Sequence, residues 1–180
     1  MSPSKWPICL KLSMPTHKPL EVDSSTASTR IGPPRKNSRN PRRRAREFAL
    51  QGLYQWQLAA TPVETIEQQL AEASGFEKID TDYFRILLRG AIASQAEIEA
   101  ALRPHLDRPI TQLSPIERGI LMLAGFELKQ QLDVPYRVVI NEAVELAKSY
   151  GGTDGHKYVN GVLDKLAGEW RSIETMSRSG

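Results

Sequence analysis

The sequence predicts an all-α protein: two three-helix bundles, six to seven helices in all, behind a disordered N-terminal tail. Three observations carry this. Apolar residues recur at helical spacing from Ala45 to Leu166. A helix-opening pattern of cap, proline and acid occurs at Thr61-Pro62-Val63-Glu64 and again at Ser114-Pro115-Ile116-Glu117. No stretch holds a convincing period of two. Tyr136-Arg137-Val138-Val139-Ile140 is β-branched, but Pro135 precedes it and a helical pattern follows.

Composition bounds the rest. The chain has 180 residues, 40% hydrophobic and 25% charged, which is a soluble globular class with room for one or two small domains. No apolar run approaches the ~18 residues a membrane helix needs. Prolines break every short apolar run of Met1 to Leu20, so no signal peptide is expected. The single cysteine, Cys9, excludes an internal disulfide within one chain and fits a reducing cytoplasm. Charge is unevenly spread. Residues 1–46 carry eleven Lys and Arg against two acids, a net +9. The remaining 134 residues carry thirteen bases and nineteen acids, a net −6. A basic arm on an acidic body points to two surfaces with different partners.

Residues 1–40 are rich in Pro and Ser without apolar periodicity, which predicts disorder. Pro41 suits the first position of a helix. Behind it Ala45, Phe48, Ala49, Gly52, Leu53 and Trp56 share one face, small enough in places for a neighbouring helix to come close. Thr61 as N-cap opens a second helix with Val63, Ile66 and Leu70 inward and Gly75 at its end. Asp80-Thr81-Asp82 opens a third, whose stripe of Phe84, Leu87, Leu88, Ala91, Ile98 and Leu102 runs about twenty residues, roughly 30 Å, to Pro104. Residues 41–103 make the first bundle. Residues 114–171 make the second, with starts at Ser114, Asp133-Val134-Pro135 and Thr153-Asp154-Gly155, and a stop at Gly151-Gly152. The helical body spans 41–173, and 174–180 form a flexible C-terminus.

Catalytic patterns are missing. The three histidines His17, His105 and His156 do not pair at ligand spacing, and no nucleophile elbow, phosphate loop or dinucleotide fingerprint is present. The reading is of a protein that is not an enzyme and that needs no cofactor, metal or small-molecule substrate. The run Arg42-Arg43-Arg44-Ala45-Arg46 is more informative. Its guanidinium groups sit where the helix macrodipole favours acids, at a cost of ~0.3–1 kcal/mol each, so an external anion is expected to compensate. Guanidinium groups bind phosphates bidentately and stack on bases, which suits single-stranded RNA; a localisation signal and a helix start with surplus charge are the competing readings. Arg43 and Tyr54, close to three turns apart, are expected on one face.

Val134-Pro135-Tyr136-Arg137-Val138-Val139-Ile140-Asn141-Glu142-Ala143-Val144-Glu145-Leu146-Ala147-Lys148 and His156-Lys157-Tyr158-Val159-Asn160-Gly161-Val162-Leu163-Asp164-Lys165 closely resemble the NusB family of transcription antitermination factors. The arginine run and Leu53-Tyr54-Gln55-Trp56-Gln57-Leu58 match the family's start, so the resemblance covers roughly 41–171. It implies two three-helix bundles. It also implies binding of boxA RNA as a heterodimer with NusE, a small-subunit ribosomal protein, alongside other Nus factors on RNA polymerase during ribosomal RNA transcription. Carried over by position, Arg42, Arg43, Arg44, Arg46, His105, Arg108, Asp154, Lys157 and Tyr158 would form the RNA surface. Glu117 and Tyr54 would meet NusE. His105 departs from the tyrosine many relatives carry. Tyr158 also begins an apolar stripe, so base stacking and core packing compete for it. The alternatives are a free-standing relative of the domain fused to RNA methyltransferases, a helix-turn-helix DNA binder and a protein scaffold. Glu142 and Glu145 on the would-be recognition helix argue against DNA.

Overall fold

The computed structural model describes residues 40–176, so the expectations for residues 1–39, Cys9 among them, and for 177–180 lie outside it, while 174–176, expected in a flexible C-terminus, belong to the helix Ser172–Met176. Eight α-helices follow in order: α1 Pro41–Ala59, α2 Val63–Ala71, α3 Thr81–Ala93, α4 Gln95–Leu102, α5 Pro115–Gln130, α6 Tyr136–Tyr150, α7 Gly155–Trp170 and α8 Ser172–Met176. Short 3-10 turns lie at Phe76–Lys78, Arg103–His105 and Ile110–Gln112. No strand occurs among the described residues, as the helical periodicity requires.

Several starts follow the predicted chemistry. Asn40 accepts a hydrogen bond from the Arg42 N–H with Pro41 just inside α1. Asp80 accepts from the Tyr83 N–H. Ser114 and Glu117 form a full capping box at α5, each satisfying the other's backbone donor. Others differ. Pro62, one residue after Thr61, takes the cap position of α2 without a side-chain bond. That helix ends at Ala71, and Gly75 (φ 92) belongs to the turn beyond it. The long third helix is two: α3 stops at Ser94, which also opens α4.

The centre of the fold is α5. From Gly119 to Leu128 every residue is buried, so the helix is wrapped on all sides. It packs against α1, α3, α4, α6 and α7, and the buried side chains of both halves join in one cluster. Close approach depends on small residues. A Cβ on Gly90 would lie 2.1 Å from Cζ of Phe126, and one on Gly52 would lie 2.9 Å from Cδ1 of Leu88. The C-terminal end of α5 is closed by a residue from outside it. The buried Arg171 donates from Nε to the Leu128 carbonyl (2.6 Å) and from Nη2 to the Gln131 carbonyl (3.0 Å). Its ion-pair partner Glu174 (3.0 Å) accepts the Tyr136 N–H that opens α6.

Candidate nucleic-acid interface

The basic run occupies the first two turns of α1, and its arginines go to different places. Arg42 is half exposed. Its Nε lies 3.5 Å from Asp80, its Nη1 lies 3.7 Å from Asp133, and its guanidinium lies over the Tyr83 ring, 4.7 Å from the centroid. Arg43 lies 3.6 Å from Glu145 of α6 and 4.0 Å from Glu47 one turn on. Arg44 reaches toward the Gly75 turn, and among the described residues no carboxylate pairs with it.

Arg46 is inside. It is 4% exposed, and its Nε and Nη2 fork onto the Glu127 carboxylate of α5 at 2.9 and 2.7 Å. Nη2 also donates to the Tyr83 hydroxyl (3.0 Å), which in turn donates to Glu127. Nη1 lies 3.9 Å from Glu142 of α6. Burial works against the charge, but the hydrogen bonds and charge of Glu127 outweigh it, so the Arg46 pKa is raised above its ordinary value. Burial first, and then the Glu127 carboxylate, push the Tyr83 hydroxyl well above the usual phenol range. Arg46, expected at the surface, lies inside: Nε and Nη2 are spent on Glu127 and Tyr83, and Nη1 keeps only the ion pair with Glu142. The expectation of an external counter-anion changes too. Asp80, Asp133, Glu127, Glu142 and Glu145, from other parts of the chain, compensate three of the four arginines.

A second group gathers where α5 and α7 begin. Arg108 forks onto Asp107 (2.8 and 3.0 Å) and lies 5.1 Å from the Tyr158 ring centroid. The fork holds the Asp107 carboxyl below its ordinary range. Tyr158 is partly buried against the core, and its hydroxyl is buried without a well-formed hydrogen bond. Burial, followed by the Asp107 charge, raises its pKa. Asp154 stands at the cap position of α7 but makes no cap bond. It pairs instead with Lys157 (2.9 Å), both fully at the surface, and Lys157 lowers its pKa. His105 is nearly enclosed, with Nε2 3.2 Å from Glu169 but outside hydrogen-bond geometry. Glu117 uses Oε2 in the capping box, while Oε1 faces Gly155: a Cβ there would lie 3.2 Å from it. One carboxylate oxygen of Glu117 therefore remains outside the capping box. Tyr54, in α1 with Arg43 and close to three turns on, is 8% exposed and packs in the core.

The two groups are not one patch. Arg46 meets α5 at Glu127 and the second group meets it at Glu117, ten residues or roughly 15 Å apart along the helix. The last turns of α6 run between them. Glu145 binds Arg43 and Lys148 (2.8 Å), and Lys148 lines a shallow groove of about 370 Å³ with Gly151, Gly152, Thr153 and His156.

Among the described residues no cluster of His, Cys, Asp and Glu could hold a metal ion, and no helix is long and apolar enough to cross a membrane. What is built is an all-helical binding protein with exposed guanidinium and carboxylate groups and the partly buried Tyr158 ring beside them. The chain belongs to the NusB family, whose model matches residues 43–168. It is 56% identical over 139 residues to the transcription antitermination protein NusB of Paraburkholderia xenovorans, covering 77% of this chain and 96% of that one. It is also 56% identical over 138 residues to that of Aromatoleum aromaticum, covering 77% and 95%. Among solved structures, NusB of T. maritima superposes with a TM-score of 0.66 at 32% identity, covering 72% of this chain and 92% of that one. A complex of antitermination factors NusB and NusE with dsRNA gives 0.62 at 27% identity, covering 73% and 96%. These names describe antitermination factors rather than enzymes, in line with the lack of catalytic motifs.

Proposed function

We propose that this protein is a cytoplasmic antitermination factor. It binds boxA-type single-stranded RNA together with NusE and works with other Nus factors on RNA polymerase in the transcription of ribosomal RNA operons. The observation that carries the reading is the display of Arg42, Arg43 and Arg44 on the first turn of α1, the first two held by ion pairs, in a chain of the NusB family. A solved relative holding NusE and double-stranded RNA supports NusE and RNA as partners. Arg108, Tyr158, His105, Asp154 and Lys157 form the second half of the RNA surface, reached along the end of α6. Glu117, with one oxygen to spare, faces NusE. The net −6 of residues 47–180 suits a basic ribosomal protein.

The test is binding of boxA-type, scrambled and double-stranded RNA, with and without NusE, by wild type and an Arg42→Ala/Arg43→Ala double variant that leaves Arg46 in place. With NusE present, boxA-type RNA is expected to bind tightest. The variant should lose about tenfold or more, with its log–log salt slope reduced by about 1.4 for two phosphate contacts. Equal affinity for all three RNAs, or an unaffected double variant, overturns the reading.

A further inference from the structure

Tyr83 belongs to none of the residues carried over from the family motifs, yet it sits where the exposed and buried arginines meet. The residue is 3% exposed, and its ring has a guanidinium near it twice, Arg42 at 4.7 Å and Arg46 at 5.2 Å from the centroid. Its hydroxyl bonds both Arg46 and Glu127, which fixes the ring against α5. Its N–H is held by Oδ1 of Asp80, whose other oxygen lies 3.5 Å from Nε of Arg42. The Asp80 N–H also reaches the Pro41 carbonyl (3.3 Å), tying the start of α3 to the start of α1. Arg42 therefore rests on a seat with an aromatic floor and a carboxylate side, rooted in the buried pair below. A long side chain that would otherwise sample many rotamers is held in one place with an edge in solvent, which lowers the entropy lost when a ligand is bound.

We propose that Tyr83 is a positioning residue for RNA recognition: it seats the Arg42 guanidinium so that its exposed edge meets a phosphate or base. This rests on the RNA reading above. A planar guanidinium suits the seat. An ammonium keeps the charge but gives up the planar stacking and the fork of donors. Tyr83 itself touches no RNA.

The experiment uses the full chain with NusE and boxA-type RNA, and compares wild type, Arg42→Ala, Arg42→Lys, Tyr83→Leu and the double variant Tyr83→Leu/Arg42→Ala. The Arg42 Nε–H resonance is followed by NMR in the free protein. Arg42→Ala and Tyr83→Leu are each expected to weaken binding about two- to fivefold, and the double variant no more than Arg42→Ala alone. Arg42→Lys, a surface change that leaves the core untouched, should lose nearly as much as Arg42→Ala. The Nε–H signal should lose its ring-current shift in Tyr83→Leu. Additive losses overturn the proposal, and so does Arg42→Lys binding like wild type, which is readable even if Tyr83→Leu does not fold. An unmoved Nε–H signal overturns it even where no RNA binds. Wild type that binds no RNA overturns the antitermination reading instead.

Discussion

Two arginine-bearing surfaces lie toward opposite ends of α5, and they are held by different means. Toward the C-terminal end, Arg42 and Arg43 are gripped by acids from α6 and from the starts of α3 and α6, above the buried pair of Arg46 and Glu127. Toward the N-terminal end, Arg108 leans on its sequence neighbour Asp107 and on the Tyr158 ring, and Asp154 pairs only with Lys157. Apart from Arg43–Glu47, the ion pairs of the first surface join residues distant in sequence and preorganise it. Those of the second, Arg108–Asp107 and Asp154–Lys157, join near neighbours that a ligand can exchange at small cost, and only the Tyr158 ring comes from afar. The same residue type thus serves as a fixed template in one place and an adaptable contact in the other.

The largest test of this contrast removes the root of the first surface. Glu127→Ala leaves Arg46 charged and buried with only the Tyr83 hydroxyl and the more distant Glu142 beside it, and is expected to lower the unfolding free energy by about 3–5 kcal/mol in denaturant titrations. A loss under ~1 kcal/mol would place both surfaces on the same footing. Next is Glu117→Gln in the second surface. Glutamine keeps the capping box, so stability should stay within ~0.5 kcal/mol of wild type while NusE binding weakens about tenfold. Undiminished NusE binding would take Glu117 out of the partner surface. The smallest effect is expected at Glu145. The hydrogen bond from Lys148 and the charges of Lys148 and Arg43 lower its pKa in the folded chain. Its contribution is present above the ordinary carboxylate range and is lost as pH falls through that lowered value. Glu145→Gln should therefore cost at most about 0.5 kcal/mol at neutral pH and nothing in acid, as read from thermal unfolding against pH. A difference that widens toward acid would reverse this assignment.

Most helices are legible in the sequence because each start combines a cap, a proline or an acid with an apolar stripe, and these cues agree. The break at Ser94 is not. Ala91 and Ile98 are seven residues apart, so the stripe keeps its phase across the interruption and periodicity cannot sense it. Arg46 was read as a surface residue because its partner lies eighty-one positions away. Two signals pointed inward all the same. Arg46 stands three, four and seven residues before Ala49, Leu50 and Leu53, on the phase of the buried face. Glu127 is the only charged residue between Gly119 and Leu128, and a lone carboxylate in so apolar a helix calls for a buried cation. Tyr83 carried no signal of its own, since an aromatic at helical phase reads equally as core.

The end of the fold has its own consequence. Arg171 folds back to cover the last carbonyls of α5, and Glu174 ties it to the first N–H of α6. The stretch matched by the family model stops at 168, three residues before that side chain. The stretch matched by the family model and the packed end of the fold therefore have different borders. The few residues between them decide whether the central helix ends on a satisfied turn or on bare carbonyl oxygens.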